Sequence, residues 1–254
     1  YKRQIEEQLI LMGWDGWEWG PYLDYWKYSG YGGAVYIEYY SSPRFRDCTF
    51  ENNYSAGGLN GLGGTPQPLI PSDRLNIENF GGAVYIGASS DPVFEGCVFR
   101  DNIADTNTVA EPDDIYVSYG GAVAFEDDCA PSFIGCTLEN NTSAIGGGMW
   151  WSGSSPTIVD CNFAGNSAYH GGGMYVIDAN GVIDNTVVQR NLAFLSNIDA
   201  NLVTDPNVGF GGVMSGGGGF AGINSPVEIF NSVFSNNRSL SSGGGVYLAG
   251  SDQD

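Results

Sequence analysis

The sequence carries little positive charge. Two of its 254 residues are lysine, one is histidine, and nine in all are lysine or arginine, against 29 acidic residues. The formal net charge of −20 excludes nucleic acid and anionic membrane surfaces as partners, because both would repel the chain. The scarcity of lysine, arginine and histidine also removes most of the side chains on which acid–base catalysis depends.

Long hydrophobic runs are missing as well. The run Leu9–Met12 is far shorter than the ~20 apolar residues of a membrane-spanning helix, so we expect no direct membrane insertion. Hydrophobic residues nevertheless make up 42% of the chain and charged residues 15%. This composition favours a packed core over disorder.

Glycine, in contrast, is abundant. The chain has 39 glycines, too many for long helices, because each interior glycine weakens a helix by about 1 kcal/mol relative to alanine. Eighteen of them stand in seven segments in which two or three glycines precede an apolar residue. The segments are Gly32–Val35, Gly81–Val84, Gly120–Val123, Gly146–Met149, Gly171–Met174, Gly217–Phe220 and Gly243–Val246.

A second motif follows each of the first six glycine segments. It places an aromatic or β-branched residue, a small residue, an apolar residue and an asparagine at fixed spacing. The six sets are Phe45, Cys48, Phe50 and Asn53; Phe94, Cys97, Phe99 and Asn102; Phe133, Cys136, Leu138 and Asn141; Ile158, Cys161, Phe163 and Asn166; Ile183, Thr186, Val188 and Asn191; and Ile229, Ser232, Phe234 and Asn237.

The shortest spacing between equivalent motif residues predicts the fold. Leu138, Phe163 and Val188 follow one another at intervals of 25 residues. Short alternating apolar runs, broken by glycine, proline and asparagine, indicate three strands and three turns in each unit. Such a unit is one coil of an all-β parallel β-helix, a solenoid of about seven coils. Stacking would align the small residues, the apolar residues and the asparagines in columns, and we expect left-handed backbone and amide ladders at the asparagines.

The pairing of Gly-Gly-Ala-Val with Phe-x-x-Asn resembles the repeat of polymorphic outer membrane proteins and related right-handed β-helix surface proteins. The resemblance covers residues 32–254. It implies a right-handed coil and a location outside the cell or on its outer surface, but no particular activity.

Residues 1–31 are predicted to cap the solenoid of residues 32–254. Residues 2–12 are typical of a short amphipathic helix, and an aromatic stretch from Trp14 to Tyr28 follows. No such cap is evident at the other end, so we expect the solenoid to continue or to pair end to end in an oligomer or filament.

Three insertions lengthen the repeat at one corner. They cover residues 59–80, 103–118 and 192–215, between an asparagine and the next glycine segment. Loops grouped on a rigid scaffold favour recognition. The alternative is that they are tolerated decoration.

The cysteines are predicted to be free thiols packed in the core. Cys48, Cys97, Cys136 and Cys161 share a repeat position that Thr186 and Ser232 fill in later coils. A position that accepts Cys, Thr or Ser requires a small buried side chain. Cys129 lies outside this column.

An aromatic ladder follows the glycine segments. Its members are Tyr36, Tyr85, Trp150, Tyr175 and Tyr247, with alanine at the two remaining positions. If Val35 and its equivalents face inward, these rings face outward, where they could stack on sugar rings. The alternative is that the ladder stabilises the stack or lies beneath an insertion.

Acidic clusters suggest calcium as the one candidate cofactor. Asp113 and Asp114 lie in an insertion, and Asp127 and Asp128 follow the third glycine segment. Carboxylate oxygens suit Ca²⁺, but no known calcium-loop motif is present, and a solvated acidic surface explains the same residues.

An enzyme that acts on polysaccharides is the main alternative to a structural protein. His170 and the pair Asp127–Asp128 match two pieces of a polygalacturonase site, but the remaining pieces are missing. Asp47 and Asp160 are separated by two coils, roughly 14 Å, which is too far for either glycosidase mechanism. We therefore predict a non-catalytic structural or adhesive module with cell-surface or matrix partners, glycans among them, and keep a carbohydrate-binding or carbohydrate-degrading β-helix as the alternative.

Overall fold

The structure is a computed structural model that describes residues 27–55, 76–104, 115–194 and 216–250. Regular structure in these ranges consists of 27 short strands, and the paired strands run parallel. Each coil contributes one strand to each of several stacked sheets. The predicted parallel β-helix is therefore confirmed.

The first sheet follows the glycine segments. Its seven strands pair in the order β2 (Val35–Ile37), β7 (Val84–Ile86), β12 (Val123–Glu126), β15 (Met149–Ser152), β19 (Met174–Ile177), β23 (Phe220–Ile223) and β27 (Val246–Ala249). Seven strands in this sheet mean six full coils and the start of a seventh.

The second motif forms the second and third sheets, with six strands each. The second sheet contains β3 (Arg44–Arg46), β8 (Val93–Glu95), β13 (Ser132–Ile134), β16 (Thr157–Val159), β20 (Val182–Asp184) and β24 (Glu228–Phe230). The third contains β4 (Thr49–Glu51), β9 (Val98–Arg100), β14 (Thr137–Glu139), β17 (Asn162–Ala164), β21 (Val187–Gln189) and β25 (Val233–Ser235).

Two shorter sides complete the coil. The fourth side consists of β5 (Tyr54–Ser55), β10 (Ile103–Ala104), β18 (Ser167–Ala168), β22 (Leu192–Ala193) and β26 (Arg238–Ser239). The fifth side, directly before the glycine segments, consists of β1 (Lys27–Tyr31), β6 (Asn76–Phe80) and β11 (Ile115–Tyr119). Ile145 and His170 extend the fifth side through single bridges.

The boundary predicted at residue 32 is wrong, since β1 already pairs in register with β6 and so belongs to the solenoid. The predicted helix of residues 2–12 lies outside the described residues. The predicted insertion bounds are also too wide, because β6, β10, β11 and β22 fall inside them. All three insertions do leave from the fourth side and return before the first sheet, as predicted.

Each full coil bends at four left-handed corners, with φ between 46° and 69°, and in the third coil one of these corners contains two such residues, Asp127 and Asp128. One is the first glycine of the glycine segment, where a Cβ would collide with backbone: at Gly146 it would lie 2.3 Å from the Met149 carbonyl oxygen. The other three corners lie before the second sheet, between the second and third sheets, and directly before the asparagines. The residues that precede the asparagines are Asn52, Asp101, Asn140, Gly165, Arg190 and Asn236. The prediction of left-handed backbone at the column asparagines themselves is therefore wrong by one residue.

The main core fills the space between the three large sheets. Rings repeat from coil to coil, so Phe45, Phe94 and Phe133 stack at centroid distances of 5.0 Å with nearly parallel planes. Phe99, Phe163 and Trp151 are fully buried beside them. In-register stacking thus repeats the same core contact between each pair of successive coils.

Candidate functional site

The predicted aromatic ladder is in register on the outer face of the first sheet. Strand pairing aligns Tyr36 with Tyr85, Tyr85 with Ala124, and Ala124 with Trp150. The column continues through Tyr175, Ala221 and Tyr247. The register of the column is therefore confirmed, and its members differ in their exposure to solvent.

Tyr85, Trp150 and Tyr175 are buried, so for these three rings the alternative of a covered ladder that packs within the stack applies. The fifth side folds over them and forms a second apolar cluster with Phe80 and Tyr119. The rings of Tyr119 and Trp150 lie 4.7 Å apart. The sequence contained the signal, since an apolar residue precedes most glycine segments at Tyr31, Phe80, Tyr119 and Ile145.

Burial raises the pKa of the three tyrosine hydroxyls in this cluster. Tyr85 donates a hydrogen bond to Glu126 Oε1 at 3.0 Å, and the nearby carboxylate adds to the effect of burial on its pKa. Burial is also the main cause for Tyr119 and Tyr175. Within the described ranges, Trp150 Nε1 and Tyr175 Oη are buried without a hydrogen-bond partner. The cluster therefore strongly favours neutral tyrosines.

Exposed aromatic rings are concentrated in coil 1, residues 27–55. Tyr31, Tyr36, Tyr39 and Tyr40 are 40%, 44%, 57% and 84% exposed, and we call these four residues the tyrosine patch. Tyr36 stacks on Tyr85 at 5.5 Å and meets Tyr31 edge-on at 5.9 Å. Partial burial raises the pKa of Tyr36, and the neighbouring Tyr39 and Glu38 raise it further.

The asparagine column forms the predicted amide ladder. Asn53 donates from Nδ2 to Asn102 Oδ1 at 2.9 Å, and the bond repeats to Asn141, Asn166, Asn191 and Asn237 at 2.9–3.0 Å. The backbone N–H of each asparagine donates to the same oxygen of the next coil. The ladder thereby satisfies buried polar groups of the corner along the stack.

The cysteine column is free and packed against the core, as predicted. Cys97, Cys136 and Cys161 are buried, and Cys48 at the first coil is half-buried. The N–H of Cys136 donates to Cys161 Sγ at 3.4 Å, and the N–H of Cys161 donates to Thr186 Oγ1 at 3.3 Å. The side chain of one coil therefore caps the backbone of the coil before it.

Cys129 belongs to a second column that the sequence reasoning missed. Its N–H donates to Ser154 Oγ at 3.2 Å, and the N–H of Ser41 likewise donates to Ser90 Oγ at 3.0 Å. The column runs through Ser41, Ser90, Cys129, Ser154, Ala179 and Ser225. Its alignment is hidden because Cys129 follows Phe125 by four positions, whereas Ser154 follows the paired Trp151 by three.

The residues considered for metal binding do not converge where the structure describes them. Asp127 and Asp128 both occupy left-handed positions on an exposed corner. Asp113 and Asp114 lie outside the described residues. No cluster of three or more carboxylate, thiol or imidazole groups suited to a metal occurs in the described ranges. Calcium binding stays a prediction.

The pieces of a hydrolase site lie apart. His170 is on the fifth side, directly before the first sheet, whereas Asp128 follows the end of that sheet at β12. Asp47 and Asp160 share one corner column with two coils between them, as predicted. His170 and Asp128 therefore lie at opposite ends of the first-sheet strands and in different coils.

The described residues contain no helix that is long and apolar enough to cross a membrane. Comparison with protein families matches residues 27–155 and 73–254 to the family described as right handed beta helix region. The chain belongs to this family. Neither the comparison with curated proteins nor that with solved structures gives a match. The right-handed β-helix family thus agrees with the parallel stacking described above.

Proposed function

We propose that this β-helix is a non-catalytic structural or adhesive module of the cell exterior, which acts as a stiff support and displays loops along one corner. The observation that carries the proposal is the asparagine ladder, unbroken from Asn53 to Asn237. A continuous ladder holds each coil to the next and favours rigidity over the opening and closing that many active sites need.

The placement of the insertions supports display. Their flanking strands stack directly, β5 on β10 and β6 on β11, so successive loops start above one another. We propose cell-surface or matrix components as partners of this corner. The repeat pattern supports a relationship to the polymorphic outer membrane proteins, and a location outside the cell follows from that proposal.

The test is an assay for catalysis. The chain is incubated with neutral and acidic polysaccharides, and new reducing ends and unsaturated products are measured. We expect none above a heat-denatured control. Depolymerisation of any polysaccharide would contradict the non-catalytic assignment.

End-to-end association is part of the proposal. Phe230 and Val233 are exposed on the sixth coil and Leu248 on β27, and no further described strand pairs with β27. Exposed apolar strand edges recruit further strands. Sedimentation velocity is expected to show association that Leu248→Lys weakens; identical monomeric profiles for both proteins would exclude it.

A carbohydrate-binding module is the second candidate, and the tyrosine patch is the observation that favours it. Four exposed tyrosines lie in coil 1, where Tyr31 and Tyr36 are in ring contact, and exposed aromatic patches commonly mark binding sites. Unlike a hydrolase, such a module needs no paired acid and base.

A further inference from the structure

Tyr40 occupies a backbone position that disfavours its side chain. Its φ is 61°, in the left-handed region. The equivalent residues of the other coils are Ser89, Asp128, Gly153, Asp178 and Asn224, which are small or are types that tolerate this conformation. A bulky residue here is strained.

Packing does not offset this strain, because the side chain of Tyr40 is 84% exposed. A strained residue without a packing role points to a function. Arg190 is the comparable case at another corner, also left-handed and exposed. Its corner column contains no aromatic residue in the described coils, so it serves below as a control for strain alone.

Tyr40 stands beside other exposed rings. Tyr39 precedes it, and Tyr36 lies close to Tyr39 and Glu38. Each tyrosine of the patch combines a rigid apolar ring with a hydroxyl at its rim. Such rings provide contact area at a low cost in conformational entropy.

We propose that the tyrosine patch binds uncharged glycan chains, with Tyr36, Tyr39 and Tyr40 as the stacking rings. This inference rests on the proposed non-catalytic adhesive role. The C–H faces of hexopyranose rings are apolar and suit the tyrosine rings, whereas their hydroxyls suit phenol oxygens and the Glu38 carboxylate. The net charge of −20 disfavours acidic glycans, and the hydroxyl-rich patch without aliphatic side chains fits a glycan better than the apolar core of a protein interface.

The test measures binding of the full chain to neutral and acidic polysaccharides by affinity electrophoresis and calorimetry. Tyr40→Asn introduces the residue type of the equivalent position in the sixth coil, Asn224. It is expected to weaken neutral-glycan binding about ten-fold or more, as loss of an aromatic anchor commonly does, without lowering the melting temperature. Tyr39→Ser is expected to weaken binding independently.

Two matched variants control for other effects. Arg190→Asn relieves the same kind of strain away from the patch, and Tyr54→Thr removes an exposed tyrosine of coil 1 from the fourth side. Both should bind like the wild type. Absence of neutral-glycan binding, equal binding by Tyr40→Asn, or equal loss in Tyr54→Thr would overturn the inference. Cleavage of a bound glycan would instead refute the non-catalytic role and leave the patch in place.

Discussion

Asn166 accepts two hydrogen bonds from Asn141 through a single side-chain oxygen. The Asn141 backbone N–H and its Nδ2 both lie 2.9 Å from Asn166 Oδ1. Asn166 Nδ2 in turn donates to Leu138 O and Asn191 Oδ1. One fully buried side chain therefore satisfies groups in both neighbouring coils.

Asn166→Ala is expected to destabilise the protein strongly. The substitution leaves the two Asn141 donors and the Leu138 carbonyl without these hydrogen bonds. The free energy of unfolding should fall by about 3 kcal/mol, since each buried unsatisfied group costs about 1–3 kcal/mol. Urea unfolding measures the change. Asn162→Ser is the control: Asn162 is half-buried in β17, and its side chain accepts one hydrogen bond, from the Gln189 amide, among the described contacts. Equal effects of the two substitutions would contradict the role of the ladder.

Close packing between glycine segments predicts a second contrast. A Cβ on Gly147 would lie 2.3 Å from Gly172 O and 2.5 Å from Ser167 O, so Gly147→Ala forces neighbouring backbones apart. We expect a loss of at least about 3 kcal/mol, typical of severe overpacking, or failure to fold. Gly135→Ala meets nothing within 4 Å at φ 61° and should cost only the left-handed strain, about 1 kcal/mol. Circular dichroism melts distinguish the two variants; comparable melting temperatures would be inconsistent with close coil packing.

Thiol labelling tests the cysteine columns. Cys97, Cys129, Cys136 and Cys161 are almost completely buried, whereas Cys48 is half-buried. Burial also raises the pKa of Cys97 and Cys129, which reduces the reactive thiolate. A thiol reagent should label Cys48 in the native protein and the other four only after unfolding. Mass spectrometry identifies the sites, and rapid native labelling of Cys136 would contradict the packing.

Alkaline pH should weaken the fold through the second apolar cluster. Tyr85, Tyr119 and Tyr175 have pKa values raised by burial, while the unfolded chain ionises its tyrosines near pH ~10. Their contribution to stability is therefore complete below pH ~10 and falls as the pH rises above it. Urea midpoints measured across this range should decline, and Tyr175→Phe should reduce the slope. A midpoint independent of pH above this value would show that the tyrosines are not buried.

The repeat made the fold predictable from sequence, down to the asparagine ladder. Columns could be aligned because Cys48, Phe50 and Asn53 recur at fixed spacing, and parallel stacking turns spacing into contact. The burial of Trp150 could not be predicted as readily, because it depends on Tyr119, and spacing alone does not show that the residue before a glycine segment folds over the outer face of the first sheet. Cys129 was missed because an extra corner residue shifts its column by one.

The tyrosine patch could not be predicted from the spacing of the repeat motifs. The sequence places Tyr36 in the same column as Tyr85, yet Tyr36 is 44% exposed whereas Tyr85, Trp150 and Tyr175 are buried. Tyr40 differs from its five equivalents in residue type at a shared left-handed backbone position, which is known only from the folded chain. Exposure and backbone strain are properties of the folded stack, so the sequence pattern could not single out Tyr40.

Our central proposal is that this scaffold has a structural or binding role and catalyses no reaction. Its most direct test is the molar mass of polysaccharides after prolonged incubation with the full chain, measured by size-exclusion chromatography with light scattering. We predict an unchanged molar-mass distribution for every neutral and acidic polysaccharide, including any that the protein binds. A fall in molar mass that prior heat denaturation of the protein abolishes would contradict the claim.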